Sequence, residues 1–289
     1  MRKEEIEKET AKFSQTAGDV PVGRECGAGS AWKGNRENMI ANYHSHTFRC
    51  NHATGTQREY VEEAIRGGYK IWGFADHTPY PFNNGFYSGM RMRPEELENY
   101  VDETLALKRE YADDIEIHLG LEVEYYPRHF EDLVRLCEPY PIEYFLLAQH
   151  AVGNEYDGTF VGGPFEDEAL LKAYCDQITA GLETGRFLYV AHPDLVHYVG
   201  SDEVYDRHIR PMCKKMAELG VPAEINFLGL LENRHYPNDR FWKIASEEGL
   251  STVFGVDAHM AERVYLPQCE EKANQMVERY GLRLIPQIL

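Results

Sequence analysis

The chain has 289 residues, 43% of them apolar, and a formal net charge of −18. This length and composition suit one large domain or two small ones, and no apolar run approaches the roughly 18 residues of a membrane-spanning helix. The negative charge disfavours nucleic acid as a partner, and a charged N-terminus without an apolar signal segment predicts a cytoplasmic protein. Six dispersed cysteines without a Cys-x-x-Cys pair predict reduced thiols.

Strand-like and helix-like segments alternate from Met39 onward, which predicts one domain over residues 39–289. Residues 1–38 are polar, with a glycine-rich stretch, and we expect a loosely ordered N-terminal arm. The predicted strands are 39–43, 71–75, 115–121, 143–148, 187–191, 222–226 and 251–255. The predicted helices are 57–66, 94–111, 128–137, 166–184, 203–219 and 239–248. Seven strand–helix units predict a parallel α/β barrel, one unit short of the eight-fold form.

Side chains that can bind metal ions stand at the ends of six of the predicted strands or in the loops that follow. They are His44, His46, His52, His77, Glu122, His150, His192, Asp257 and His259. Residues two apart on an extended backbone point to the same side, so both members of a His-x-His or Asp-x-His pair can reach one ion. One pair follows the first strand and one follows the last, and these strands are neighbours in a closed barrel. We therefore predict one metal site at the carboxyl ends of the strands.

The number and type of these side chains indicate more than one ion. Nine ligands exceed the needs of a single tetrahedral ion, so two or three ions are expected, with Glu122 bridging two of them. Imidazole and carboxylate ligands suit Zn, Mn or Fe. Clustered cations polarise a phosphoryl oxygen and lower the pKa of a bound water, which predicts hydrolysis of a phosphate ester. Such ions would also let an acidic protein accept a small phosphorylated substrate.

The sequence around these residues resembles the polymerase and histidinol phosphatase (PHP) family, on its histidinol-phosphate phosphatase branch. The resemblance lies in residues 43–47 and 50–56, then in 73–79 and 119–125, and finally in 224–230, 236–237 and 255–259. It spans nearly all of residues 39–262, and motif order and spacing both agree with the family. Two departures concern Val256, where serine is usual, and the Leu-Ala-Gln-His run that ends at His150, where Ser-Val-His is common. Neither changes a ligand, so they leave the substrate more open than the metal site.

The resemblance implies a distorted (β/α)7 TIM-like barrel with a trinuclear metal site at the C-terminal ends of the strands. Carried over by position, one ion would be bound by His44, His46, Glu122 and Asp257. A second ion would be bound by Glu122, His150 and His192, and a third by His52, His77 and His259. Asp257 would also contact the nucleophilic hydroxide, so that Asp257, Glu122 and His192 are the expected catalytic residues.

A phosphate monoester needs cationic groups beyond the metal ions, and arginine offers a bidentate fork. The candidates for substrate binding are Arg91, Arg93 and Arg234, which lie in loops after the second and sixth predicted strands. Asp194 and Asp76 are candidates for accepting a hydrogen bond from a ligand imidazole.

The leading hypothesis is a metal-dependent phosphomonoesterase that hydrolyses L-histidinol phosphate to L-histidinol, in histidine biosynthesis, by attack of a metal-bridging hydroxide. A second hypothesis keeps the site and changes the substrate to another small phosphate ester or to phosphotyrosine. Nuclease action is disfavoured by the charge of the chain. A non-catalytic metal-binding protein is a further alternative, against which the complete ligand set argues. The sequence leaves the oligomeric state open.

Overall fold

The computed structural model describes residues 39–289, so the arm predicted over residues 1–38 lies outside the described residues. The strands are β1 Ala41–Asn42, β2 Ile71–Phe74, β3 Glu116–Val123, β4 Tyr144–Leu147, β5 Ala151–Val152, β6 Thr159–Phe160, β7 Phe187–Val190, β8 Ala223–Asn226, β9 Ser251–Gly255 and β10 Arg283–Leu284. The helices are α1 Gln57–Gly67, α2 Leu97–Glu110, α3 Phe130–Cys137, α4 Glu168–Glu183, α5 Asp202–Leu219, α6 Phe227–Glu232, α7 Asp239–Glu247 and α8 Pro267–Tyr280. Short 3-10 turns span Phe48–Cys50, Pro94–Glu96 and Ala261–Arg263.

The eight strands of the main sheet run parallel in the order β1-β2-β3-β4-β7-β8-β9-β10, and β5 and β6 form a separate antiparallel hairpin. The sheet is curled as in a distorted TIM-like barrel, which confirms the predicted fold class. All seven predicted strands are present. The structure adds the β5–β6 hairpin, α6, α8 and β10, for which no element was predicted.

The segments that follow β1 and β9 meet at the carboxyl end of the sheet. The backbone N–H of His46 donates to the carbonyl oxygen of Ala258 at 2.9 Å, and the N–H of Asp257 donates to that of His44 at 2.9 Å. The side chain of Asn42 accepts a hydrogen bond from the N–H of Val256 at 2.9 Å. The contacts that close the barrel are therefore made by the segments that carry two of the predicted ligand pairs.

Two apolar clusters lie on opposite faces of the sheet. The larger cluster joins the strands to the surrounding helices, whereas the smaller one contains residues of the strands and their ends together with the C-terminal segment. Tyr144 fills part of this barrel interior, and its hydroxyl donates to the carbonyl oxygens of Tyr43 and Phe74 at 2.7 and 3.0 Å. Gly73 and Gly120 make room for it, since a Cβ at either position would overlap the Tyr144 side chain. The interior is a packed core, as is usual for small barrels.

Polar caps fix the starts of the helices that flank the barrel. Thr56 and Glu59 form a reciprocal capping box at the start of α1, and Asp167 and Ser201 cap α4 and α5 through their side-chain oxygens. Such caps satisfy backbone N–H groups that have no partner within the helix. Among residues 39–289, no helix is both long and apolar enough to cross a membrane.

Candidate metal centre

All nine side chains predicted to bind metal ions lie at the carboxyl end of the barrel. His44 and His46 follow β1, His52 follows the first 3-10 turn, His77 follows β2, Glu122 is in the last part of β3, His150 stands between β4 and β5, His192 follows β7, and Asp257 and His259 follow β9. Most are buried, and His52, His150 and His259 are partly exposed. Within residues 39–289, five overlapping groups of three donor atoms could each hold an ion, and four of them are built from these nine residues alone.

Four of these residues have donor atoms close to one another. The Nε2 atom of His44 lies 3.1 Å from Nε2 of His46, 3.4 Å from Oε1 of Glu122 and 3.5 Å from Oδ1 of Asp257. The Nε2 atom of His46 lies 3.1 Å from the same Asp257 oxygen and 3.5 Å from Oε2 of Glu122. Donors about 2.1 Å from a tetrahedral ion are about 3.4 Å from one another. These separations are therefore those of ligands around one ion.

The contact between His52 and His259 suits two ligands of one cation. The Nε2 atoms of His52 and His259 face each other at 3.1 Å. The Nδ1 of His52 lies 2.6 Å from the carbonyl oxygen of Cys50, and the Nδ1 of His259 lies 3.0 Å from that of Asp257. A carbonyl only accepts, so each Nδ1 carries the proton and each neutral ring presents a lone pair at Nε2. Two lone pairs repel each other, and a shared positive ion removes the conflict.

His192, His150 and His77 also lie close to the carboxylate of Glu122. The Nε2 atoms of His192 and His150 lie 3.0 and 3.8 Å from Oε1 of Glu122. The Nδ1 of His77 lies 2.7 Å from the other carboxylate oxygen. Glu122 thus stands between several imidazoles, which is the position expected of a bridging carboxylate. In the structure His77 belongs to two donor groups, one with Glu122 and His150 and one with His46 and His259. The donor groups of the structure therefore share more residues than the three predicted sets of ligands do.

The charge state of the two carboxylates suits cation binding. Burial alone would raise the pKa of Glu122, but its interactions with His77 and His44 hold this pKa well below the usual range. Asp257 behaves in the same way, with His44 and His46 opposing the effect of burial on its pKa. One oxygen of each carboxylate makes no hydrogen bond among the described residues. A buried anionic oxygen without a donor is costly, and a metal ion would satisfy it.

Burial lowers the pKa of three of the imidazoles. Desolvation and the neighbouring histidines bring the pKa values of His52, His77 and His259 to about 3. For His77 and His259, nearby carboxylates partly offset this effect. These rings therefore stay neutral at neutral pH, as a metal ligand must.

Two of the predicted ligands have a left-handed backbone. His192 has φ of 31° and Asp257 has φ of 51°. This region is sparsely populated by residues other than glycine, and residues in it cluster at functional sites. The backbone N–H of His192 donates to Oε2 of Glu224 at 3.0 Å, which helps to hold the turn after β7.

Glu224 is an important residue that the sequence reasoning left without a role. Its Oε1 lies 2.8 Å from Nδ1 of His44 and accepts a bond from the hydroxyl of Tyr189 at 3.3 Å. Its Oε2 accepts from the backbone of His192 and from Nδ2 of Asn226 at 2.9 Å. A carboxylate at Nδ1 keeps the proton there and leaves Nε2 free for an ion. A glutamate within the buried strand β8 was the signal in the sequence.

Cys50 supports His46 in a comparable way. Burial and the neighbouring Asp76 raise the pKa of the Cys50 thiol well above its usual range, so it remains a donor. The thiol donates to Oδ1 of Asp76 at 2.9 Å, and the backbone N–H of His77 donates to its sulfur at 3.2 Å. The Nδ1 of His46 lies 3.4 Å from the same sulfur. Asp76, which was predicted to orient a ligand imidazole, therefore acts on His46 through the thiol.

The three arginines that were predicted to bind substrate differ from one another in burial and in hydrogen-bond partners. Arg91 is buried and its guanidinium is occupied by Glu124, by Glu155 and by the carbonyl oxygen of Thr78. These contacts use all five N–H donors, so in this arrangement the guanidinium of Arg91 is engaged by protein groups and not directed at a substrate phosphate. Arg93 is exposed, with its guanidinium carbon 3.7 Å from the centre of the Tyr87 ring.

Arg234 is the arginine that borders the metal centre. Its guanidinium contacts Glu232 at 2.7 Å and the hydroxyl of Tyr236 at 2.8 Å. Burial would lower the pKa of Arg234, but Tyr236, Glu232 and the nearby Asp257 raise it. The ring of Tyr236 lies 6.0 Å from that of His192. Arg234 thus brings positive charge to the edge of the ligand cluster.

Asp194 was expected to accept a hydrogen bond from a ligand imidazole, but in the structure it accepts none from His192. Its Oδ2 accepts instead from the backbone N–H of Asn238 and from Nε1 of Trp242, which anchors the start of α7. Burial raises the pKa of Asp194 to about 7.

The comparisons with known proteins agree with this fold. A sequence profile of the PHP domain matches residues 42–227. The histidinol-phosphatase of Bacillus subtilis is 26% identical over 250 residues, covering 75% of this chain and 92% of that protein. A protein of Deinococcus radiodurans described as a probable histidinol-phosphatase is 28% identical over 240 residues, with 78% and 88% covered.

One solved structure shares the architecture closely. It is the histidinol phosphate phosphatase of Lactococcus lactis, complexed with zinc, L-histidinol and phosphate. Its TM-score is 0.66 at 19% sequence identity, with 86% of this chain and 95% of that chain covered. At this identity the likeness shows a common fold. With the profile match over more than half of its length, the chain belongs to the PHP domain family.

Proposed function

We propose that this protein is a metal-dependent phosphatase that hydrolyses L-histidinol phosphate to L-histidinol and phosphate, a step of histidine biosynthesis. The observation that carries the proposal is the convergence of nine buried or half-buried histidine and carboxylate side chains. Eight of them fall in groups of three that could hold a metal ion, and the ninth, His52, faces His259 with its Nε2 at 3.1 Å. The histidinol-phosphatases among its relatives support the choice of substrate. The fold shared with a phosphatase that was solved with zinc, L-histidinol and phosphate supports it further.

The centre is proposed to hold two to three divalent ions, of Zn, Mn or Fe. His44, His46, Glu122 and Asp257 would hold one of them, and their mutual separations support this set. A second set would be Glu122, His150 and His192, and a third would be His52, His77 and His259. The facing Nε2 atoms of His52 and His259 support the third set. Bound divalent ions supply Lewis acidity toward a phosphoryl oxygen and lower the pKa of water.

The protein groups have separate roles in this proposal. Glu122 stays ionised between the imidazoles and bridges two of the sets. Asp257, whose Oδ1 lies 3.5 and 3.1 Å from Nε2 of His44 and His46, would hold an ion with them and would accept a proton from the attacking water. His192 holds its ring against Glu122 on a strained backbone. Arg234 offers cationic N–H groups to the phosphate at the edge of the centre.

The test is a comparison of kcat/KM for L-histidinol phosphate with that for a panel of simple phosphate esters and phosphotyrosine, using metal-reconstituted protein. A value of at least ~10⁴ M⁻¹s⁻¹ with a large preference for L-histidinol phosphate is expected. An Asp257→Asn protein reconstituted in the same way controls for contaminating phosphatase. Weak, indiscriminate turnover would reject this substrate and favour another small phosphate ester. No turnover by protein that binds metal would favour a non-catalytic role.

A further inference from the structure

We propose that Arg91 is a positioning residue for the metal centre, which acts on the ligand His150 through the carboxylate of Glu124. The proposal rests on the metal-binding part of the proposed function and does not depend on the substrate. It replaces the phosphate-binding role that the sequence suggested for Arg91.

The guanidinium of Arg91 is fully engaged with protein groups. Its Nη1 and Nη2 atoms donate to the two oxygens of Glu124 at 3.2 and 3.0 Å, in a fork-to-fork pair. Its Nε donates to Oε2 of Glu155 at 3.0 Å, and Nη2 lies 2.9 Å from the same oxygen. The fifth donor goes from Nη1 to the carbonyl oxygen of Thr78 at 2.8 Å. An arginine held in this way has a single orientation and passes it on to its partners.

Glu124 connects this fork to the metal centre. Its Oε1, which accepts from Arg91, lies 2.9 Å from Nδ1 of His150. Glu122 lies in the last part of β3 and Glu124 is the first residue after that strand, and the carboxylates of both face the ring of His150. A carboxylate at Nδ1 places the imidazole proton there and leaves Nε2 free, and this Nε2 faces Oε1 of Glu122 at 3.8 Å. Arg91 therefore fixes the carboxylate that selects the ligating tautomer of His150.

His150 needs this support more than the other two ligands of its proposed set, Glu122 and His192. Its side chain is 22% exposed, whereas those of Glu122 and His192 are 1% and 3% exposed. It stands directly before the β5–β6 hairpin rather than within a barrel strand. Glu155 lies in that hairpin and is held by Arg91 and by the hydroxyl of Ser88. The same arginine thus anchors both the ring of His150 and the hairpin that follows it.

A double-mutant cycle tests whether Arg91 acts through His150. The proteins are the wild type, Arg91→Lys, His150→Ala and the double variant, and the measurement is metal stoichiometry and zinc affinity by chelator competition. Lysine keeps the positive charge but cannot form the fork, so Arg91→Lys should weaken the most weakly held zinc ion by about 10- to 100-fold. In the His150→Ala background the same change should have little further effect. Independent, multiplicative losses would overturn the proposal.

Arg49→Lys is the matched control. Arg49 is also a buried arginine, but it pairs with Gln57, Asn99 and Glu103, none of which is a proposed ligand. Its zinc affinity should equal that of the wild type. An equal loss in Arg49→Lys would show that any buried arginine affects the centre and would refute a specific path through Glu124.

A second variant covers the case in which Arg91→Lys does not fold, as judged by circular dichroism of the metal-free protein. Glu124→Gln leaves Arg91 paired with Glu155, and it should show the same loss and the same dependence on His150. Wild-type zinc affinity in Glu124→Gln would contradict the proposal. Because the readout is metal binding, a wild-type protein that binds zinc but does not hydrolyse L-histidinol phosphate would reject the proposed substrate while the cycle still decides the role of Arg91.

Discussion

Glu224→Gln should weaken metal binding by about 10- to 100-fold although residue 224 is not itself a ligand. The carboxylate accepts hydrogen bonds on both oxygens, from His44 and Tyr189 on one and from His192 and Asn226 on the other. Glutamine has nearly the same shape but can accept on one side only, because its nitrogen is a donor. Each of its two orientations therefore damages the centre in a different way.

The cost of each orientation follows from the contacts. With the amide nitrogen toward His192 and Asn226, two buried donors lose their acceptor, which costs about 1–3 kcal/mol each, or about 2–6 kcal/mol of folding stability. With the nitrogen toward His44, the imidazole must accept at Nδ1 and carry its proton on Nε2. That proton would point at Glu122 and Asp257, 3.4 and 3.5 Å away, and would remove the lone pair that binds the ion.

The assay is zinc affinity by chelator competition, together with thermal unfolding of the metal-free protein. Glu143→Gln is a suitable control, since Oε2 of Glu143 lies 2.7 Å from Nδ1 of His118, which is not a proposed ligand. Its zinc affinity should be that of the wild type. Wild-type zinc affinity in Glu224→Gln, with an unchanged unfolding temperature, would refute the argument that this carboxylate sets the tautomer of His44.

Three other perturbations address the ligands themselves. Asp257→Asn should keep the fold, because asparagine tolerates the left-handed backbone at φ of 51°. The variant should lose most turnover, and a near-wild-type kcat/KM would show that Asp257 has no role in the mechanism. Glu122→Ala should lose at least one equivalent of metal by elemental analysis, and full occupancy would contradict a bridging role. Acid should destabilise the metal-free protein. In the folded state His52, His77 and His259 have pKa values of about 3 and stay neutral, whereas in the unfolded state they become protonated below about pH 6.5. Each contributes at most about 1.4 kcal/mol per pH unit between about pH 6 and 4.5, so urea titrations in this range that show no loss of stability would contradict buried neutral rings.

The strands and the ligand cluster could be predicted because both follow local rules. Parallel barrel strands are short apolar runs, and residues at their carboxyl ends converge whatever the details of packing. The final helix α8 also had signals, with Pro267 in its first turn and Gly281 as a left-handed cap, although no helix was predicted there. The three-way division of ligands could not be derived from the residues alone, because it depends on distances between loops.

The role of Arg91 illustrates the limit more sharply. A loop arginine on the active face has the charge to bind phosphate, and the sequence offers no local reason to reject that role. Its carboxylate partners, Glu124 and Glu155, lie 33 and 64 residues further along the chain. No periodic pattern connects residues at such separations, so only the folded structure shows that the guanidinium is already occupied.

The hydrogen bonds that close the barrel, between the segments after β1 and β9, have a consequence for folding kinetics. The hydrogen bond between Asn42 and Val256 joins residues 214 positions apart, and the backbone contacts of His46 and Asp257 span similar distances. Contacts of such long sequence separation carry a large loop-closure entropy and form slowly. During synthesis, His44 and His46 are made long before Asp257 and His259, so the two ligand pairs can come together only when almost the whole chain is present. We expect the barrel to close late in refolding. Metal ions would then stabilise the closed barrel but would not assist the early folding steps.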